Sequence, residues 1–81
     1  MDDMVGQKAP VTMRSVIARI NRRLKPDQQM LKVTRGERLR INVGNYYVMD
    51  FSMNAILHTN VDPERMARDL DCLMDYEAVV E

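Results

Sequence analysis

The apolar residues change their spacing twice along this chain, and that change restricts the fold more than any other feature. Met13, Val16, Ile17, Ile20 and Leu24 recur at i, i+3, i+4, i+7 and i+11, one stripe of a helix of period 3.6. Through the middle the pattern becomes alternation, shown best by Leu39, Ile41 and Val43 between Arg38, Arg40 and Asn42. The helical spacing then returns with Met66, Leu70, Leu73 and Met74. A helix, a set of short strands and a second helix predict an α+β fold in two layers. Both helices would cover one face of a three- to four-stranded antiparallel sheet. A chain of 81 residues is one domain, and at this size about 60% of the unfolded surface is buried, so the core is modest.

Boundaries follow from capping chemistry. Residues 1–11 hold Gly6, Gln7 and Pro10 with few apolar groups, and are expected to be disordered, leaving 12–81 as the single domain. Thr12 suits the N-cap of the first helix. Arg19, Arg22, Arg23 and Lys25 complement the negative end of its dipole, and Pro26 is expected to stop it by disfavouring helical geometry at Lys25. Strands are expected at Gln29 to Thr34, with Leu31 and Val33 on one face, and at Arg38 to Val43 after a turn through Arg35, Gly36 and Glu37. Two more follow at Tyr46 to Phe51, after a Gly44-Asn45 hairpin turn, and at Ala55 to Asn60, after a turn through Ser52, Met53 and Asn54. Asp62 as N-cap, Pro63 at the first helical position and Glu64 behind them mark the closing helix. Its far end lacks a glycine cap and carries Asp69, Asp71 and Asp75, which predicts fraying after Asp71, with Tyr76, Val79 and Val80 docked or trailing.

A zero net charge hides a strong asymmetry. Residues 8–40 carry ten of the twelve Lys and Arg against Asp27 and Glu37, a local balance of +8. Residues 41–81 carry eight acidic groups against Arg65 and Arg68, a balance of −6. Charge distribution of this kind bears on partners rather than on fold.

Tyr46-Tyr47-Val48-Met49-Asp50, then Asn54-Ala55-Ile56-Leu57, then Asn60-Val61-Asp62-Pro63-Glu64-Arg65-Met66-Ala67-Arg68-Asp69-Leu70 form a series of segments, with Ile20-Asn21-Arg22-Arg23-Leu24 upstream. Over roughly residues 13–73 the series resembles a group of small uncharacterised bacterial proteins. These combine a YYVxD strand, an NAV-like strand and a VDxExxAREL helix. Such proteins accompany plasmids, phages and other mobile elements, so the resemblance implies an accessory or regulatory role. No functional residue carries over from it. The group tends to close its last helix with Gly, where this chain has Asp71 or Cys72.

Catalysis has little to stand on. GxSxG, a P-loop, GxGxxG and HExxH are all missing. His58 is expected as a structural strand residue and Cys72, the one cysteine, as a small buried hydrophobe. No catalytic residue, metal ligand set or cofactor is expected. A single cysteine excludes an intrachain disulfide, and neither a signal peptide nor a membrane span is legible, so a cytoplasmic protein is expected.

Binding is therefore the expected function, through one of two surfaces. The basic one comprises Arg14, Arg19, Arg22, Arg23, Lys32, Arg38 and Arg40; Lys32, Arg38 and Arg40 on an open sheet face near a tyrosine would suit single-stranded nucleic acid. The same arginines could instead satisfy the chain's own acidic half, within a monomer or across a homodimer. The acidic surface comprises Glu64, Asp69, Asp71 and Asp75, which would steer toward a basic protein. Eight methionines give adaptable surface or a soft core. The leading expectation is a non-enzymatic module that binds a protein partner, with a phage- or plasmid-type inhibitor of the anti-CRISPR kind as one form of it. Nucleic-acid binding is the alternative.

Overall fold

A computed structural model describes residues 9–80. Its element order is β1 (Ala9–Thr12), α1 (Met13–Leu24), β2 (Gln29–Val33), α2 (Glu37–Val43), β3 (Tyr46–Asp50), β4 (Ala55–His58), α3 (Pro63–Asp69) and β5 (Glu77–Val80). The fold is α+β: β2, β3 and β4 form an antiparallel sheet with β3 central, and β1 pairs with β5 in parallel. Of the segment expected to lack structure, 1–8 lies outside the described residues, whereas Ala9–Thr12 is a strand that pairs with the far end of the chain.

The first helix follows its spacing closely. Thr12 Oγ1 accepts the Ser15 amide at 3.1 Å, the expected N-cap. Val16 and Ile20 are fully buried and Leu24 nearly so. Lys25 keeps right-handed helical angles, contrary to the expectation about Pro26. The chain tightens into a 3-10 turn over Lys25–Asp27, where Pro26 occupies the first turn, and Gln28 in the left-handed region (φ 61°) ends it.

Arg38 to Val43 is a helix rather than a strand. Gly36, at φ 93°, turns the chain out of β2, and the Arg40 and Gly44 amides bond back to the carbonyls of Gly36 and Arg40. Alternation misled because the segment is short. In a helix, Leu39 and Val43 stand at i and i+4 on one face, half-buried and buried, while Ile41 lies about 200° round and is 80% exposed. The expected Gly44-Asn45 hairpin turn is the C-terminal cap of α2. Thus β2 and β3 are antiparallel neighbours joined through a helix, while β3 and β4 keep the expected tight connection. β4 ends at His58, and Asn60 takes a positive φ (54°). Leu31 is buried, but its expected facial partner Val33 is 47% exposed at the strand's end.

Asp62 caps α3, its Oδ1 accepting the Glu64 and Arg65 amides. The helix closes three residues short of Cys72. Asp71 enters the left-handed region (φ 59°), its amide bonds to the Arg68 carbonyl, and the Cys72 amide reaches the Ala67 carbonyl at 2.7 Å. That pair of bonds is a Schellman motif with Asp71 in the position glycine normally takes. Leu73 is buried from the following turn, Met74 is exposed, and the chain ends in β5 instead of a C-terminal helix. Of the three residues expected to dock or trail, Val79 packs against the core, while Tyr76 and Val80 are exposed.

One apolar cluster joins Val11, Val16, Ile20, Leu24, Leu31, Val48, Ala67, Cys72 and Leu73, so α1, α3 and the Leu31/Val48 face of the sheet share a core. At roughly 25 cal/mol per Å² of buried apolar surface, this cluster supplies the main folding drive.

Candidate functional site

The basic residues do not form one surface. Arg14, Arg22 and Arg23 are exposed on α1, Lys32 is exposed on β2, and Arg38 and Arg40 are exposed on α2. The expectation that Arg38, Arg40 and Lys32 line one open sheet face fails: the two arginines belong to a helix, and Thr34, two residues after Lys32, is buried with its hydroxyl donating to the Gly44 carbonyl. Arg40 lies 4.0 Å from Glu37 along its own helix. Arg19 is structural. Its Nη1 donates to Glu77 Oε1 at 2.9 Å and to the Cys72 carbonyl at 3.0 Å. This ion pair links the basic half to the acidic half within one monomer.

Of the acidic set, Glu64 pairs with Arg68 at 3.2 Å, and Asp69, Asp71 and Asp75 are exposed. Arg68 also donates to the Met74 and Glu77 carbonyls and so holds the segment before β5. Glu77 accepts from Arg19 and from the Met74 amide, and these bonds hold its carboxyl below the usual carboxylate range despite opposing burial. The same pairing raises Arg19 above its already high value. At the β3–β4 turn, Asp50 accepts from the Ser52 hydroxyl first, and from the Met53 and Ser52 amides, and its carboxyl is lowered too.

Cys72 is buried, its thiol directed at the Arg19 and Leu70 carbonyls at 3.8 and 3.7 Å. It borders a cleft with Arg19, Arg22 and Arg23, whereas His58 borders a different one with α3. The two groups are not brought together as a dyad. Among the described residues no group of three or more His, Cys, Asp or Glu could hold a metal ion. No helix among them is long and apolar enough to cross a membrane.

Sequence reasoning missed the sheet's outward apolar row. Because side chains alternate along a strand, Met30 and Met49 face away from Leu31 and Val48, and Ile56 is brought beside Met49 by a register shift between Val48 and Met49. The register places Met30 opposite Met49 and Met49 opposite Ile56, with the Lys32–Tyr47 pair alongside. Met30 and Met49 are half-buried and Ile56 is 47% exposed. The apolar residues were visible in the sequence, but β3 and β4 are apolar on both sides, so only the pairing with its register shift makes Met30, Met49 and Ile56 a row. The second feature missed was the β2 edge. Asn21 Oδ1 accepts the Leu31 amide at 2.7 Å and its Nδ2 donates to the Leu31 carbonyl, so α1 occupies the outer edge of that strand.

A cleft of about 280 Å³ lies between the sheet and α3, floored by Val48 and lined by His58, Val61, Met66, Asp62 and Asp69, with Arg65 beside it. It is apolar at its base and mainly anionic at its mouth. No family model, curated protein or solved structure matches the chain.

Proposed function

We propose that this chain is a small non-enzymatic module that binds a protein partner, working in the cytoplasm as an accessory or inhibitory protein of the mobile-element kind. The observation that carries the reading is the outward sheet row of Met30, Met49 and Ile56, continued by the exposed Phe51 and Met53 of the adjoining turn. Contiguous exposed apolar residues of this sort mark docking surfaces, and unbranched methionines repack against a partner's contours. Asp69, Asp71 and Asp75 would add steering toward a basic partner. The test is affinity capture from the native host with the wild-type chain and with Met49→Glu/Ile56→Glu. Capture of a defined protein, lost in the variant at unchanged thermal stability, is expected. Equal capture by both chains would rule the surface out.

The second reading, nucleic-acid binding, is favoured by Arg14, Arg22 and Arg23, which are exposed on α1 and have no ion-pair partner among the described residues. Phosphate contacts through them would release counterions, so affinity for oligonucleotides would fall log-linearly with salt. Absence of binding at low salt would eliminate it.

A further inference from the structure

Ile41 is the most exposed large apolar residue among the described residues, and it stands on a helix that makes only marginal contact with any other element. Its neighbours on α2 are charged: Arg38 and Arg40, with Glu37 one turn earlier and Arg35 just before the helix. A protruding apolar side chain ringed by cations has a natural complement, an apolar cleft with an anionic mouth. The chain carries one, the cleft between the sheet and α3, where Val61 and Met66 supply the apolar lining above the buried Val48, and Asp62 and Asp69 the carboxylates.

We propose that the protein self-associates by seating α2 of one copy in this cleft of a second copy. Ile41 enters against Val61 and Met66, Arg38 and Arg40 meet Asp62 and Asp69, and Glu37 lies toward Arg65, the one cation of the cleft. Asp62 uses Oδ1 to cap α3, which leaves Oδ2 for an incoming guanidinium. Over residues 35–43 the charge is +2, from Arg35, Arg38 and Arg40 against Glu37. The cleft carries −1, from Asp62 and Asp69 against Arg65, with His58 neutral. The opposite signs are what charge complementarity requires.

The chain's own connections hold the two complementary surfaces near each other on one face of the molecule. The Asn60 amide bonds to the Val43 carbonyl at 2.8 Å and the Val61 amide to the Tyr46 carbonyl at 3.0 Å. The base of α2 is thus anchored beside the segment that walls the cleft, yet Ile41 remains in solvent within its own copy. Two copies related by a two-fold axis can exchange these arms, each filling the other's cleft, and the assembly closes at a dimer. This inference uses a different surface from the outward sheet row, so either proposal can fail alone.

The test is sedimentation or light scattering over a concentration series of the full chain, with Ile41→Asp and Asp69→Arg as separate variants. Both substitutions lie at exposed positions, and Arg at the end of α3 suits the helix dipole. A wild-type dimer whose dissociation constant rises at least about tenfold in each variant is the expected result, the size typical of losing a central anchor. A second measurement does not depend on the variants: in a mixed, differentially labelled sample, intermolecular methyl contacts should connect Ile41 with Val61 and Met66. A wild-type chain that stays monomeric at millimolar concentration overturns the proposal. So does a dimer that tolerates either substitution, or one lacking those methyl contacts.

Discussion

The Glu77 carboxylate receives the Arg19 guanidinium and the Met74 amide, each at 2.9 Å, on a segment with few other ties to the core. A carboxyl held more acidic in the folded state than in the unfolded chain contributes its full stabilisation above its unfolded value, near 4.3, and loses it as pH falls through the folded value. Arg19, raised above an already high value, stays charged throughout that range. Stability of the wild-type protein should therefore fall between about pH 5 and pH 3, with Asp50 adding to the same window because its carboxyl is lowered as well. Glu77→Gln should be less stable at pH 7 and flatter across the acid range, its curve meeting the wild-type one at low pH. Denaturant titrations at several pH values measure this; parallel curves would show that the pair contributes nothing. Asp71 offers the opposite case. It holds φ 59° in a Schellman position and places an anion at the negative end of α3. Asp71→Gly relieves both, and a gain of about 1 kcal/mol is expected in chemical unfolding.

At the scale of elements, legibility in the sequence depended on length and on caps. The first helix has three turns of unbroken spacing and a threonine cap, and α3 starts with Asp62 and Pro63 side by side, so both starts were readable. The strands β2, β3 and β4 were readable from their branched and aromatic residues. The segment from Glu37 to Val43 was not, because seven residues satisfy alternation and helical spacing at once; Gly36 and Gly44, read as turns between strands, are the ends of a helix. The parallel pairing of β1 with β5 was illegible because it depends on partners 68 residues apart in register. The binding surfaces suffered from the same cause: once Arg38 and Arg40 moved to α2, the open sheet face became apolar rather than basic. Gly44 makes the point testable. It holds φ 80°, and a Cβ there would come within 2.9 Å of the Asn60 Cα. Gly44→Ala should cost more than about 1 kcal/mol by adding strain and a backbone clash. Were Gly44 merely a hairpin glycine with free space, the loss would be smaller.

Across the whole molecule, stability is distributed unevenly, and the distribution follows from which contacts the core cluster reaches. Val16, Ile20 and Val48 are fully buried and tie α1 to the central strand, so their segments can open only when the core opens. The β1–β5 pair is different. It has two strands and no further neighbour in its sheet, and its apolar contact with the cluster is through Val11 and Val79. Its other ties include the Arg19–Glu77 pair, the Arg68 bonds to the carbonyls of Met74 and Glu77, the bonds between Met74 and Glu77, and the Ala9 amide bonded to the Tyr76 carbonyl. Opening this pair exposes little apolar surface, so its free energy must lie below that of global unfolding. Hydrogen exchange read by peptide mass spectrometry should show residues 9–12 and 77–80 exchanging through a sub-global opening, well before peptides from α1 and β3. Acid should widen the gap, because protonating Glu77 removes a tie that belongs to this pair and leaves Val16, Ile20 and Val48 untouched. In Glu77→Gln the early exchange should appear already at neutral pH and cease to depend on acid. Uniform exchange of all segments at one rate would instead mean that the paired termini are as firmly built into the cooperative unit as the helix–sheet core.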